Sequence, residues 1–263
     1  MDDLLTVGAI AVLAFMLADV AHEVIGHGVG LVAAGGHSGI LTTTRLISDQ
    51  PSGNLGGRLF DLGGPLGNLV CAGLAWSGLR LGRTGPHLRL LCWLVMAFSL
   101  FWAFGYMISS GVLARGDWVA LVRGLGPPWA WRSVLVIAGI TCYRAAMKLV
   151  AAEMRGIADL SREGEAARLR RLALVSYVAG GAIACAGAIF DPRGPMEMLN
   201  SGATISFLAA LGLLRAPAIF LGRPSPMAAQ GRVVARSAGW IGVAAAGSIV
   251  FVVLLGRGVR VSW

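Results

Sequence analysis

Long apolar runs alternate with short polar stretches along the chain. Seven such runs, near 20 residues each, occupy about 4–34, 62–81, 88–113, 131–151, 172–190, 198–220 and 239–255. A helix of that length crosses a hydrocarbon core of about 30 Å. The pattern predicts an all-α polytopic membrane protein with about seven transmembrane helices, forming one membrane domain over 1–263. No internal repeat or separate soluble domain interrupts it.

The stretch 35–61 breaks this rhythm. Residues 39–47 are rich in β-branched side chains, and Asp49-Gln50-Pro51-Ser52-Gly53-Asn54 reads as a turn before a second short run ending at Phe60. A short β-hairpin between helices one and two is expected, lying in or against the membrane surface. Its edge strand either pairs with an extended peptide or belongs to an ordinary loop hairpin. The second apolar run opens with Gly63-Gly64-Pro65-Leu66-Gly67-Asn68, and a proline suits the first turn of a helix, where its missing N–H costs nothing. Gly26 and Gly30, and later Gly180, Ala184 and Ala188, have the four-residue spacing that lets helices pack closely. The charged stretch 153–171 reads as a solvated, helical connector.

Composition agrees with lipid as the solvent: 56% of the 263 residues are hydrophobic and 13% charged, against about 25% charged in soluble domains. The net charge of +9 lies mostly between apolar runs, where basic side chains anchor helix ends. It lacks the clustered footprint of a nucleic-acid surface, so no nucleic-acid partner is expected. The four cysteines fall inside apolar runs without CxxC spacing and read as small buried hydrophobes. The first run is too long, and its flank too acidic, for a cleaved signal peptide, so it reads as retained. Abundant Ala, Gly and Arg suggest a high-GC bacterial source, and so the bacterial cytoplasmic membrane.

Inside the first run lie His22, Glu23 and His27. Ionisable residues at membrane depth are costly and usually functional, and these types bind zinc and activate water. The familiar zinc-binding helix places two histidines at i and i+4. Here the spacing is five, and five steps of about 100° leave His27 roughly 140° from His22 on a regular helix. Chelation of one ion therefore requires a single-turn π-bulge, which Gly26 would ease. Asp19 shares this face, as a partner orienting His22 or merely as a polar residue near a pore.

The six-residue motif resembles that of dipeptidyl peptidase III, a His-Glu-x-x-x-His zinc helix with glycine before the second histidine. The wider resemblance, over roughly 15–120, is to the site-2 protease family of intramembrane zinc metalloproteases. It rests on His22-Glu23…His27 in a first core helix, Gly64-Pro65-Leu66-Gly67-Asn68 opening the next, and Gly116-Asp117-Trp118 near the end of a third. The histidine spacing, the missing Leu-Asp-Gly and the absent PDZ domain set the chain apart as a divergent branch. The resemblance implies a three-helix catalytic core over 1–120, with four additional transmembrane helices over 121–263. It also implies Zn²⁺ bound by His22, His27 and Asp117, Glu23 as the base, and Asn68 near the substrate backbone or developing oxyanion. Asp117 alternatively caps the helix after Gly116, and His37 is then the reserve ligand. Chain order alone, up-down-up, brings His22, His27, Asn68 and Asp117 to one membrane side. The basic-residue balance puts that side outside the cytoplasm, whereas the resemblance puts it nearer the cytosol.

The expected function is hydrolysis of peptide bonds in or near transmembrane segments of membrane-protein substrates, by a metalloendopeptidase working within the lipid bilayer. The alternatives are a metal-binding transporter or channel, and a catalytically inactive relative that binds membrane segments. An intact Glu23 argues against the last, because pure binding needs no base.

Overall fold

The computed structural model describes residues 1–48, 54–81, 85–159, 163–194, 196–222 and 231–262. The chain is an all-α polytopic membrane protein. Its helices are α1 (Leu4–Asp19), α2 (His27–Ala33), α3 (Leu55–Leu81), α4 (Pro86–Leu113), α5 (Asp117–Leu121), α6 (Pro128–Glu153), α7 (Glu165–Ala188), α8 (Leu211–Leu221) and α9 (Ala238–Ile249). A π-helical turn, Val20–Gly26, joins α1 to α2, and a longer one, Met198–Leu208, precedes α8.

Among the described residues, six continuous helical stretches are long and apolar enough to cross a membrane: Leu4–Ala33, Pro86–Leu113, Pro128–Gly156, Glu165–Ala188, Met198–Leu221 and Ala238–Arg257. They match six of the seven predicted runs. The seventh, 62–81, lies within α3, which is 27 residues long. Glycines, Pro65 and Asn68 dilute its apolar character, and α3 is not one of the six. Nor does it begin where the sequence suggested. Its first turn is at Leu55, where the Asn54 side chain accepts the Gly57 N–H at 2.6 Å, so Pro65 sits in the helix interior rather than at its start.

α4 is the central staff. Trp93, Met96, Phe98, Phe101 and Trp102 are buried along it, against α1, α3 and α6. Pro86 occupies its first turn. Asp3 caps α1 by accepting the Thr6 N–H at 2.9 Å. α2 and α3 approach backbone to backbone: a Cβ on Gly30 would stand 2.6 Å from the Leu59 carbonyl oxygen. That is the close contact expected of the Gly26/Gly30 pair.

The predicted hairpin exists, with a different turn. β1 (Ser38–Leu41) pairs antiparallel with β2 (Leu46–Ile47), Leu41 opposite Leu46. The reversal is at Thr42–Arg45. There the Thr42 hydroxyl accepts the N–H groups of Thr44 and Arg45, each at 3.2 Å, and donates to the Arg45 carbonyl at 3.1 Å. A threonine hydroxyl thus does the work the sequence reading gave to Pro and Gly. Of the expected turn at 49–54, residues 49–53 lie outside those described, and the run ending at Phe60 is helical. The sheet also has a third strand that the sequence reading missed. β3 (Val259–Ser262), from the C-terminal end, pairs antiparallel with β1 on its other side, giving the order β2-β1-β3.

The charged stretch 153–171 is only partly helical. α6 ends at Glu153, a 3₁₀ turn follows over Met154–Gly156, and α7 begins at Glu165. Arg80 and Arg155 pair with Glu153, at 2.7 and 3.5 Å. Arg168 pairs with Asp2 at 2.6 Å and Glu165 at 2.7 Å, tying the N-terminus to α7.

Candidate metal centre

The five-residue spacing is resolved by the π turn. The backbone N–H of His27 donates to the carbonyl of His22, a hydrogen bond spanning five residues, which rotates the two side chains onto one face. His22, Glu23 and His27 are buried, at 2%, 3% and 4% exposure. Their ligand atoms all lie within 4.8 Å of one another.

Asp117, the first residue of α5, completes the group. Its Oδ2 lies 3.0 Å from His22 Nε2 and 3.4 Å from His27 Nε2. Donors held about 2.0–2.1 Å from a tetrahedral zinc stand roughly 3.3 Å from each other. These two separations therefore suit a shared ion, and two imidazoles with one carboxylate are an ordinary zinc donor set. Glu23 Oε2 is 4.0 Å from His27 Nε2 and has no hydrogen-bond partner among the described residues. That leaves a carboxylate oxygen facing His27 with no hydrogen bond made to it among those residues.

Neighbouring groups fix the ligands. His27 Nδ1 donates to the Phe60 carbonyl at 2.8 Å, which leaves Nε2 as its metal-facing atom. The Phe60 ring stacks on the same imidazole at 4.7 Å. His22 stacks on Trp102, with ring centroids 4.8 Å apart, and Trp102 stacks in turn on Phe15 at 5.6 Å. The Tyr106 hydroxyl accepts the Asp117 N–H at 3.3 Å and faces Asp117 Oδ1 at 3.5 Å. Gly116, at φ +89°, lets the chain turn there, and a Cβ on it would collide with the Tyr106 hydroxyl. Trp118 donates its indole N–H to the Ala103 carbonyl at 3.0 Å, pinning α5 to α4. Burial disfavours the Asp117 charge, but the facing imidazoles of His27 and His22 outweigh it and hold the carboxyl below the usual carboxylate range.

The cluster opens on a cavity of about 340 Å³. Arg45 from the hairpin turn and Arg193, Glu197 and Ser201 from the segment between α7 and α8 share its wall. They form one polar network. Arg193 pairs with Glu197 at 2.7 Å and with Asp191 at 3.2 Å, while the Thr44 hydroxyl donates to Asp191 at 2.6 Å. Arg45 stands 3.7 Å from Glu197. The cavity therefore draws on residues well beyond 1–120, the span the sequence reading assigned to the catalytic core.

Of the residues singled out from sequence, His22, Glu23, His27 and Asp117 come together. Asn68 does not reach the cavity wall. It is fully buried on α3, one helical turn beyond Gly64, with neither side-chain amide atom hydrogen-bonded among the described residues. Gly64, like Phe60, meets the cluster from α3: a Cβ there would stand 2.6 Å from Nε2 of both histidines. His37 lies exposed between α2 and β1. Tyr106, the Phe60 carbonyl and the 191–201 wall were not foreseen. Only the acidic pair Asp191 and Glu197, set between two apolar runs, offered a signal. No protein-family model, curated protein or solved structure matches the chain.

Proposed function

We propose that this chain is an intramembrane zinc metalloprotease, a divergent member of the site-2 protease family, which cuts peptide bonds in or near transmembrane segments in a bacterial cytoplasmic membrane. One observation carries the reading: the π turn that sets His22 and His27 on one face, opposite Asp117, with Glu23 beside them. That turn gives the two histidines a shared face, which a regular helix would not give them at five-residue spacing.

His22, His27 and Asp117 would hold the zinc. When bound, zinc would lower the pKa of a water and polarise the scissile carbonyl. Glu23, buried yet free on one oxygen, is placed to take a proton from the attacking water and return it to the leaving amine. The ring stack Phe15–Trp102–His22 and the Phe60 carbonyl hold the imidazoles in place. The polar cavity admits water to a site otherwise surrounded by apolar helices.

The test is cleavage of a transmembrane reporter by the purified full chain in proteoliposomes, wild type against Glu23→Gln. The reading expects cleavage by wild type and a loss of at least about 100-fold in the variant, the lower end for a removed general base. Bound metal with no cleavage of any member of a reporter panel would instead favour a metal-binding transporter or an inactive binder.

A further inference from the structure

A second, much smaller cavity lies beside the first, of about 10 Å³. Its polar lining comprises Asp19 at the end of α1, Thr43 and Thr44 in the hairpin turn, Trp102 in α4 and Ser201; Asp19, Thr43 and Trp102 come from three different elements. All three are more than nine-tenths buried, at 2%, 6% and 4% exposure. Asp19 Oδ1, Thr43 Oγ1 and Trp102 Nε1 each lack a hydrogen-bond partner among the described residues. A buried polar atom left unpaired costs roughly 1–3 kcal/mol, so three around one void need a common explanation.

We infer that this cavity is a binding site for a single water molecule. Its volume matches the roughly 10–15 Å³ that one water requires, and buried waters typically make about three hydrogen bonds. The donor inventory closes. The indole N–H of Trp102 only donates, so the water accepts it. One water proton goes to Asp19 Oδ1. The Thr43 hydroxyl, which both donates and accepts, takes the remaining bond. A metal cation fits badly, because the indole N–H would point at it. An apolar ligand fits worse, since it would satisfy none of the three.

The site has a structural consequence. The water bolts the hairpin turn to α1 and α4, which the described side chains do not otherwise join by hydrogen bonds at this point. It also fixes the indole whose face stacks on His22. Thr44, Ser201 and Ile205 line both cavities, so the small one is a side chamber of the large one, and water reaches it from there. None of this rests on the hydrolytic reading.

The test uses the full-length wild-type protein. An experimental structure at a resolution that shows ordered solvent should place one water within hydrogen-bonding distance of Asp19 Oδ1, Thr43 Oγ1 and Trp102 Nε1. Finding the three groups turned to protein partners, with no water between them, overturns the inference. X-ray radiolytic labelling provides a second readout, because a buried bound water marks its own neighbours. Trp102 should be labelled in wild type and several-fold less in Thr43→Val, which keeps the shape and removes the hydroxyl. Equal labelling of Trp102 in the two proteins would also overturn it.

Discussion

The backbone N–H of His27 reaches back five residues to the carbonyl of His22. This one bond converts a spacing unsuited to chelation into a pair of imidazoles facing the same carboxylate. Residues 20–26 must stay π-helical for the pair to work. Removing Val24 would leave the two histidines four residues apart on a regular helix, which also sets them on one face. The expected outcome is retained metal binding, read by metal analysis of the purified variant. Loss of the metal would show that the π turn does more than correct the spacing.

Gly64 sets the distance between α3 and the cluster. A methyl group there would stand 2.6 Å from both Nε2 atoms, within the contact radius of any atom pair. Gly64→Ala should lower zinc affinity by at least about 10-fold, as disturbed ligand surroundings do, with helix content by circular dichroism unchanged. Competition with a chromophoric chelator measures the first effect.

Tyr106 holds Asp117 by its backbone N–H and faces its Oδ1. Tyr106→Phe keeps the ring and deletes both interactions. Zinc affinity should fall by about 10-fold, in the range typical of partners that orient a ligand. Unchanged affinity in the same chelator competition would show that α5 positions Asp117 without help.

Asp191 joins the hairpin turn to the wall opposite, through Thr44 and Arg193. Its side chain is buried while the Arg193 side chain is 40% exposed, so solvent screens part of that pairing. Asp191→Ala should lower stability by about 1–3 kcal/mol, chiefly by removing the acceptor of the Thr44 hydroxyl, while Arg193 keeps its pairing with Glu197. Thermal unfolding in detergent reads the change.

At the N-terminus, burial pushes the Asp2 carboxyl up, but Arg168 and the Val234 N–H prevail and hold it below its ordinary value. A carboxyl depressed in the folded state stabilises fully above its unfolded pKa, about 3.9, and loses that contribution as pH falls through the folded value. Asp2→Asn should therefore lower the melting temperature at neutral pH and flatten its decline below about pH 4. Melting curves recorded across that range give the answer.

Much of this was legible in the chain itself. Apolar run lengths foretold the helices, because bilayer thickness dictates them. The His22–His27 spacing foretold a bulge, because helix geometry leaves no other route to chelation. The failures were tertiary. The β3 strand joins residues over 200 positions from β1, and nothing local in Val259–Ser262 marks a partner. The turn at Thr42 was hidden because a side-chain hydroxyl, not Pro or Gly, closes it. α3 began early because Asn54 caps it, although 55–61 is too polar to read as membrane helix. Tyr106 and the 191–201 wall were invisible for the same reason as β3: they belong to the site only through folding.

The most direct test of the central claim is the metal content of the purified chain, by inductively coupled plasma mass spectrometry. Wild type and Glu23→Gln should each carry about one zinc per chain, as expected where three protein ligands hold the ion without the base. His22→Ala, His27→Ala and Asp117→Ala should each lose it. Wild type without metal after zinc supplementation, or zinc retained when all three ligands are replaced, would contradict the account.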